Sequence, residues 1–192
     1  MEDVLYPWGG KIEAGSRVSC VAVVTLSDRM ELPMERIALN GSMKTENLGV
    51  EKVVANVLSN PNIRFLIVCG SEVRGHRSGD ALISLHRNGV DENRRVIGAK
   101  SAIPYIENLP LEAVERFRKQ VEVIDLVGVT DAARILSALD ECLRRNPGSF
   151  GEPLIVQPRA KEGKKEVVGT DFALHAKIDL DEYGVISRAC GS

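Results

Sequence analysis

Ile63-Arg-Phe-Leu-Ile-Val-Cys-Gly-Ser-Glu-Val-Arg-Gly-His76-Arg-Ser-Gly79-Asp80 decides the reading of this chain. Its first half is a continuous apolar run, the pattern of a strand buried on both faces. The run ends at Gly70 and opens a polar turn that carries one histidine between Gly75 and Gly79. A helical pattern follows at once, with Ala81, Leu82 and Leu85 on one face and a glycine stop at Asn88-Gly89. Strand, turn and helix in that order are the unit of an open α/β sheet, in which small ligands bind outside the carboxyl ends of the strands. A histidine there is a potential metal ligand, and the glycines allow a bulky flat group to approach the backbone.

The same alternation extends in both directions. Ser19–Thr25 reads as a strand. Val50, Val53, Val54, Val57 and Leu58 recur at helical spacing and stop at Asn60-Pro61. Arg95–Ala99 is predicted as a short third central strand, with Ser101–Tyr105 following it at the same sheet end. Pro110 opens a helix, Val121–Val127 is a strand, and Thr130 is the expected N-cap of a last helix. That helix carries Ile135, Leu136, Leu139, Cys142 and Leu143 on its apolar face. The expectation is a Rossmann-like α/β domain over residues 18–150, a mostly parallel sheet with helices on both faces. It is flanked by a loosely ordered N-terminal arm, 1–17, with Tyr6 and Trp8 available to dock it, and by a C-terminal extension, 151–192. In the extension, Val167–Lys177 and Ile178–Ser187 suggest a hairpin or an edge strand, and Arg159–Glu166 reads as a solvated charged loop.

Bulk composition narrows the function classes. The chain has 192 residues, 44% of them hydrophobic, enough for one domain with a core. A net charge of −2 provides no basic field for nucleic acid. No run approaches the ~20 apolar residues of a membrane span, and no signal peptide is evident. The four cysteines, Cys20, Cys69, Cys142 and Cys190, form no C-x-x-C pair; they read as free thiols, buried where they fall on strand or helix faces, in a reducing, cytoplasmic setting. No nucleotide-binding glycine motif, zinc-type ligand cluster or Ser/His/Asp set is present. His86 lies near the C-terminus of its helix, where imidazole is favourable without any function, and His175 has no companion ligands.

Several long segments resemble one known family. Lys44-Thr-Glu-Asn-Leu-Gly49, Asn60-Pro-Asn-Ile-Arg-Phe-Leu-Ile, the histidine turn, Ile97-Gly-Ala…Ala102-Ile-Pro-Tyr-Ile-Glu-Asn108 and Phe117…Gln120-Val-Glu-Val-Ile-Asp-Leu126 occur in this fixed order. Over residues 43–150 they are similar to the corrinoid-carrying A subunit of tetrahydromethanopterin S-methyltransferase of methane-producing archaea. The resemblance implies a cobamide cofactor, with His76 as the protein ligand to its cobalt. One histidine suffices when a macrocycle supplies the remaining ligands, and the hard chemistry is then the cofactor's. Gly70, Ser71, Gly75, Thr45, Glu46, Asn47, Ser101 and Tyr105 are expected around it. The implied partners are methyl-donor and methyl-acceptor methyltransferase subunits, with this chain as the methyl shuttle rather than a complete enzyme. A corrinoid storage or sensing protein, or a carrier for another methyltransferase, is the rival reading.

Three departures accompany the resemblance. The cobamide signature of other methyltransferases is Asp-x-His-x-x-Gly, but Arg74 stands here where the acid would be. A metal-bound imidazole normally donates its other N–H to a carboxylate or carbonyl, so that partner must come from elsewhere, with Asp80, Glu72 and Glu46 as candidates. Met43 stands where the family often has cysteine. The family's chain ends in a membrane anchor, whereas Glu152–Ser192 holds patterned sequence; the expectation is a naturally soluble relative. Gly75 and Gly79 are further expected to act as flexible flanks that let the histidine turn move.

Overall fold

A computed structural model describes residues 5–157 together with the strand placements 178–180 and 186–188. The chain divides into two compact units, 1–160 and 161–192. In the first, five strands lie in the order β1-β3-β2-β4-β5: β1 (Ile12–Ala14), β2 (Val21–Val24), β3 (Leu39–Gly41), β4 (Phe65–Gly70) and β5 (Glu122–Val127). β3, β2, β4 and β5 run parallel, and only the edge strand β1 is antiparallel. The four helices are α1 (Leu48–Leu58), α2 (Ser78–Asn88), α3 (Leu111–Gln120) and α4 (Ala132–Arg144). This is the expected α/β architecture.

Strand alternation divides the core into two layers. Ala22, Val24, Leu66 and Val68 face the cluster formed by α1, α2 and α3, which Phe117, Leu82 and Val54 help to fill. Val21, Val23, Phe65, Ile67 and Cys69 face the other way, onto Ile135, Leu139 and Cys142 of α4. β2 and β4 are buried at every position, which explains why they read as unbroken apolar runs.

Local signals account for most helix ends. Asn47 accepts from the Leu48 N–H at 2.7 Å, and Gly89, at φ 75°, closes α2. Pro110 precedes α3 as expected. α4 is capped by Asp131, whose carboxylate accepts from the Arg134 N–H at 2.8 Å, one residue later than the expected Thr130. The predicted strand Arg95–Ala99 does not join the sheet. It makes only single bridges, Val90 with Val96 and Arg95 with Tyr105, so Ser101–Tyr105 belongs to a folded loop and does not follow a central strand. The loop's order comes instead from side chains: Asp91 accepts from the Asn93 and Arg95 N–H groups, and Asp80 from that of Lys100.

The N-terminal stretch supplies a strand that its sequence does not announce. The Tyr6 hydroxyl donates to the Ala38 carbonyl at 3.1 Å and the Trp8 indole to that of Val156 at 2.9 Å, which sets Ile12–Ala14 beside β3. In the second unit, β6 (Ile178–Leu180) pairs antiparallel with β7 (Ile186–Arg188). The stretch Val167–Lys177, the charged patch Arg159–Glu166, His175 and Cys190 lie outside the described residues. No helix among the described residues is long and apolar enough to cross a membrane.

Candidate functional site

The carboxyl ends of β3, β2 and β4 send their loops to one edge of the sheet. β2 leads back to β3 while β4 leads onward to β5, so the chain parts between β2 and β4, the usual ligand crevice of such sheets. Here that crevice is closed by the protein itself. The Ser27 N–H and hydroxyl both donate to the Ser71 carbonyl, at 3.2 and 2.7 Å, and the Ser71 N–H donates to Asp28 Oδ2 at 2.5 Å. Gly70 is required by this closure: at φ 86°, a Cβ there would meet the Thr25 carbonyl oxygen at 2.4 Å. Two of the expected cofactor-binding positions, Gly70 and Ser71, therefore join the β2 and β4 loops to each other. Asp28, which sequence reasoning missed, is the third member of that closure.

His76 stands one loop further along. Its Nδ1 lies 2.7 Å from Glu46 Oε2, although the two residues come from different loops, after β4 and after β3. The Glu46 side chain is 4% exposed and that of His76 49%. The other Glu46 oxygen accepts from the Ile103 N–H at 3.2 Å. Burial works to raise the Glu46 pKa, but its own backbone N–H, His76 and the Ile103 N–H outweigh it, and the net shift is downward. The carboxylate is thus ionised and oriented. It engages the imidazole at Nδ1, and Nε2 has no hydrogen-bond partner among the described residues.

Glu46 is the partner that the missing acid of the histidine signature required. The other two candidates have other work. Glu72 accepts from the Gly79 and Asp80 N–H groups at 3.1 and 2.9 Å and so caps α2, while Asp80 holds Lys100. Gly79 is not a flexible flank. It sits inside α2, where a Cβ would come within 2.9 Å of Val127 and 3.0 Å of Glu72. Gly75, at φ 88°, has open space around it. Arg77, the N-cap of α2, takes a left-handed backbone at φ 47°.

The remaining expected positions frame the pair unevenly. Thr45 Oγ1 accepts from the Gly49 N–H at 2.9 Å, and with Asn47 it spends its side-chain oxygen on the start of α1. Met43 is buried, and its carbonyl accepts from the Ser78 hydroxyl at 3.0 Å, which ties the β3 loop to α2. Ser101 is 4% exposed and its hydroxyl has no hydrogen-bond partner among the described residues. Tyr105 is half-buried beneath the Arg95 guanidinium, 5.5 Å from its ring centre. His86 is structural: its Nε2 contacts the Val121 carbonyl at 2.8 Å and its ring meets Phe117 edge-on.

A bare metal ion would find too few ligands, since no group of three His, Cys, Asp or Glu residues among those described could hold one. One half-exposed imidazole nitrogen, with its ring fixed from behind by a buried carboxylate, fits instead a metal that arrives with its equatorial ligands already in place. Gly75, the residue before His76, has open space around it that leaves room for a large group there.

Comparison with known proteins places this geometry in context. The family model of the tetrahydromethanopterin S-methyltransferase A subunit matches residues 6–166. The chain is 48% identical over 165 residues to the A 1 subunit of tetrahydromethanopterin S-methyltransferase from Methanothermobacter thermautotrophicus, covering 84% of this chain and 69% of that one. It is 53% identical over 153 residues to the A 2 subunit of the same methyltransferase from Methanothermobacter marburgensis (78% and 83%). Over 187 residues it is 41% identical to the A subunit from Methanosphaera stadtmanae (93% and 75%).

Proposed function

The chain belongs to the family of tetrahydromethanopterin S-methyltransferase A subunits, and from that premise we propose that it is a cobamide-binding methyl carrier. It would take methyl groups from methyl-tetrahydromethanopterin and deliver them toward coenzyme M, together with donor- and acceptor-side methyltransferase subunits. The observation that carries the reading is the Glu46–His76 pair at the sheet edge, with Nε2 turned free. When bound, the cobamide supplies a cobalt centre able to accept and release methyl. His76 would ligate that cobalt, and Gly75, Ser101 and Tyr105 would stand beside the corrin.

The chain's own residues perform three tasks. Glu46 holds the imidazole ring in place from its Nδ1 side, the usual role of a carboxylate behind a metal-binding histidine. The Ile103 N–H donates to that carboxylate and so ties the 97–105 loop to the pair. Asp80 holds the other end of the loop through Lys100, so the loop cannot drift from α2 without breaking a hydrogen bond.

Loading the purified chain with cobalamin tests the reading. A coloured protein is expected, and the paramagnetic cobalt(II) form with nitrogen-15 histidine should show coupling to a protein nitrogen that His76→Ala abolishes. A chain that stays colourless, or identical spectra for native and variant protein, would overturn the assignment.

A further inference from the structure

A second cleft opens between α1 and the sheet. Ala22, Leu39 and Leu66 form its floor, Val53 and Val57 its roof, and the segment Gly9–Ile12 its outer wall. Its cavity volume is about 80 Å³, and it opens outward to solvent. Gly41 and Gly49 let the walls approach closely: a Cβ at Gly41 would meet Ile12 and the Lys11 carbonyl at 3.0 Å, and one at Gly49 would meet Thr45 Oγ1 at 2.8 Å. Protein cores are close-packed, so an apolar gap beside the main core is unusual and marks a place where something else can sit.

Three lysines line this cleft, each from a different segment. Lys11 precedes β1, Lys44 follows β3, and Lys52 lies on α1. None of them makes an ion pair with another described residue. Across Gly41 and Ser42 the cleft adjoins a polar one. Asn40 lines that neighbour, is 8% exposed, and its Oδ1 has no hydrogen-bond partner among the described residues. A buried amide oxygen accepts, so it suits a water or a neutral donor and keeps the anionic head on the lysine side.

We propose that this cleft is a binding site for a free, small amphipathic anion: a carboxylate or phosphate on a short apolar body. The body would shed water among Leu39, Val53 and Val57, and the head would lie among Lys11, Lys44 and Lys52. An uncharged molecule would leave the three cations unmatched, and a bare inorganic anion would leave the apolar walls wet. His76 and Glu46 are not among the residues that line it.

Trp8 makes the proposal measurable. It is the chain's single tryptophan and directly precedes the Gly9–Ile12 wall, and its backbone N–H donates to Asn56, another residue of the cleft, at 3.0 Å. Titration of the full chain with octanoate should change Trp8 emission saturably, and salt should weaken the binding. 1-Octanol should bind about tenfold more weakly or worse, as should octanoate to the combined Lys11→Gln, Lys44→Gln, Lys52→Gln variant. Val53→Phe, which fills the cleft, should lose the response while circular dichroism and Tm report an intact fold; Val53→Leu provides a milder filling should the larger ring disturb folding. His76→Ala should bind octanoate like the native chain. The proposal is overturned by no response to octanoate, by equal affinity for 1-octanol, by an unchanged response in a folded cleft-filling variant, or by a response to phosphatidylglycerol vesicles alone.

Discussion

At Glu46 a carboxylate is buried and yet kept ionised, because three donors face it: its own backbone N–H, His76 and the Ile103 N–H. Its pKa in the folded chain lies below the ordinary carboxylate value, so its contribution to stability is complete above the unfolded pKa. That contribution is lost as pH falls through the depressed folded value. Glu46→Gln should therefore destabilise the chain by about 1–3 kcal/mol at neutral pH, since a neutral amide cannot serve all three donors as an anion does. Urea unfolding of both proteins from pH 7 down to pH 3 checks this: the gap should narrow toward acid, and a gap independent of pH would contradict the assignment. In the loaded protein the same variant should weaken histidine coupling without abolishing it, which separates a positioning role from ligation.

On the scale of elements, the turn between β4 and α2 combines a rigid end with a permissive one. Gly70 has positive φ and a backbone oxygen where its Cβ would go, whereas Gly75 has positive φ and empty space. Gly70→Ala should cost about 2–4 kcal/mol, and Gly75→Ala only the backbone penalty of about 1–2 kcal/mol. Equal losses in thermal unfolding would mean that the β2 and β4 loops are not joined as described. Arg77 holds a left-handed conformation at the cap of α2 without a side-chain cap bond, and Glu72 supplies the missing acceptors from outside the helix. Arg77→Gly should then raise stability by about 0.5–1 kcal/mol, and Glu72→Ala should lower it by about 1–2 kcal/mol. A loss of stability on Arg77→Gly would show that the arginine side chain contributes more than its backbone costs.

Across the whole molecule the two core layers bury the thiols of Cys20, Cys69 and Cys142, all free. Burial pushes Cys69 up to about 11, aided by the Asp28 carboxylate, and Cys142 likewise to about 11. At pH 8 almost none of either is thiolate, the reactive form. A Cys190→Ser variant should accordingly show no fast reaction with Ellman's reagent while folded and release three equivalents in guanidinium; a fast equivalent before unfolding would show that one core layer opens.

Much of this molecule can be read along the chain because the signals are local. A buried strand must be apolar, a helix must repeat its apolar face, and Asn47, Pro110 and Gly89 act within one turn of themselves. His76 is legible for the same reason, as a histidine in a turn at a strand end. The three-residue strands β1 and β3 are too short to show a period, and β1 takes its place because Tyr6 and Trp8 dock the N-terminal segment. Arg95–Ala99 has the composition of a strand, yet the ladder edge it would need is elsewhere, and side-chain hydrogen bonds from Asp91 and Asp80 hold its loop. The choice of Glu46 over Glu72 and Asp80 belongs to tertiary structure alone. Thirty residues separate Glu46 from His76. No local rule brings a carboxylate after β3 against an imidazole after β4; the parallel sheet does so by ending both strands at one edge.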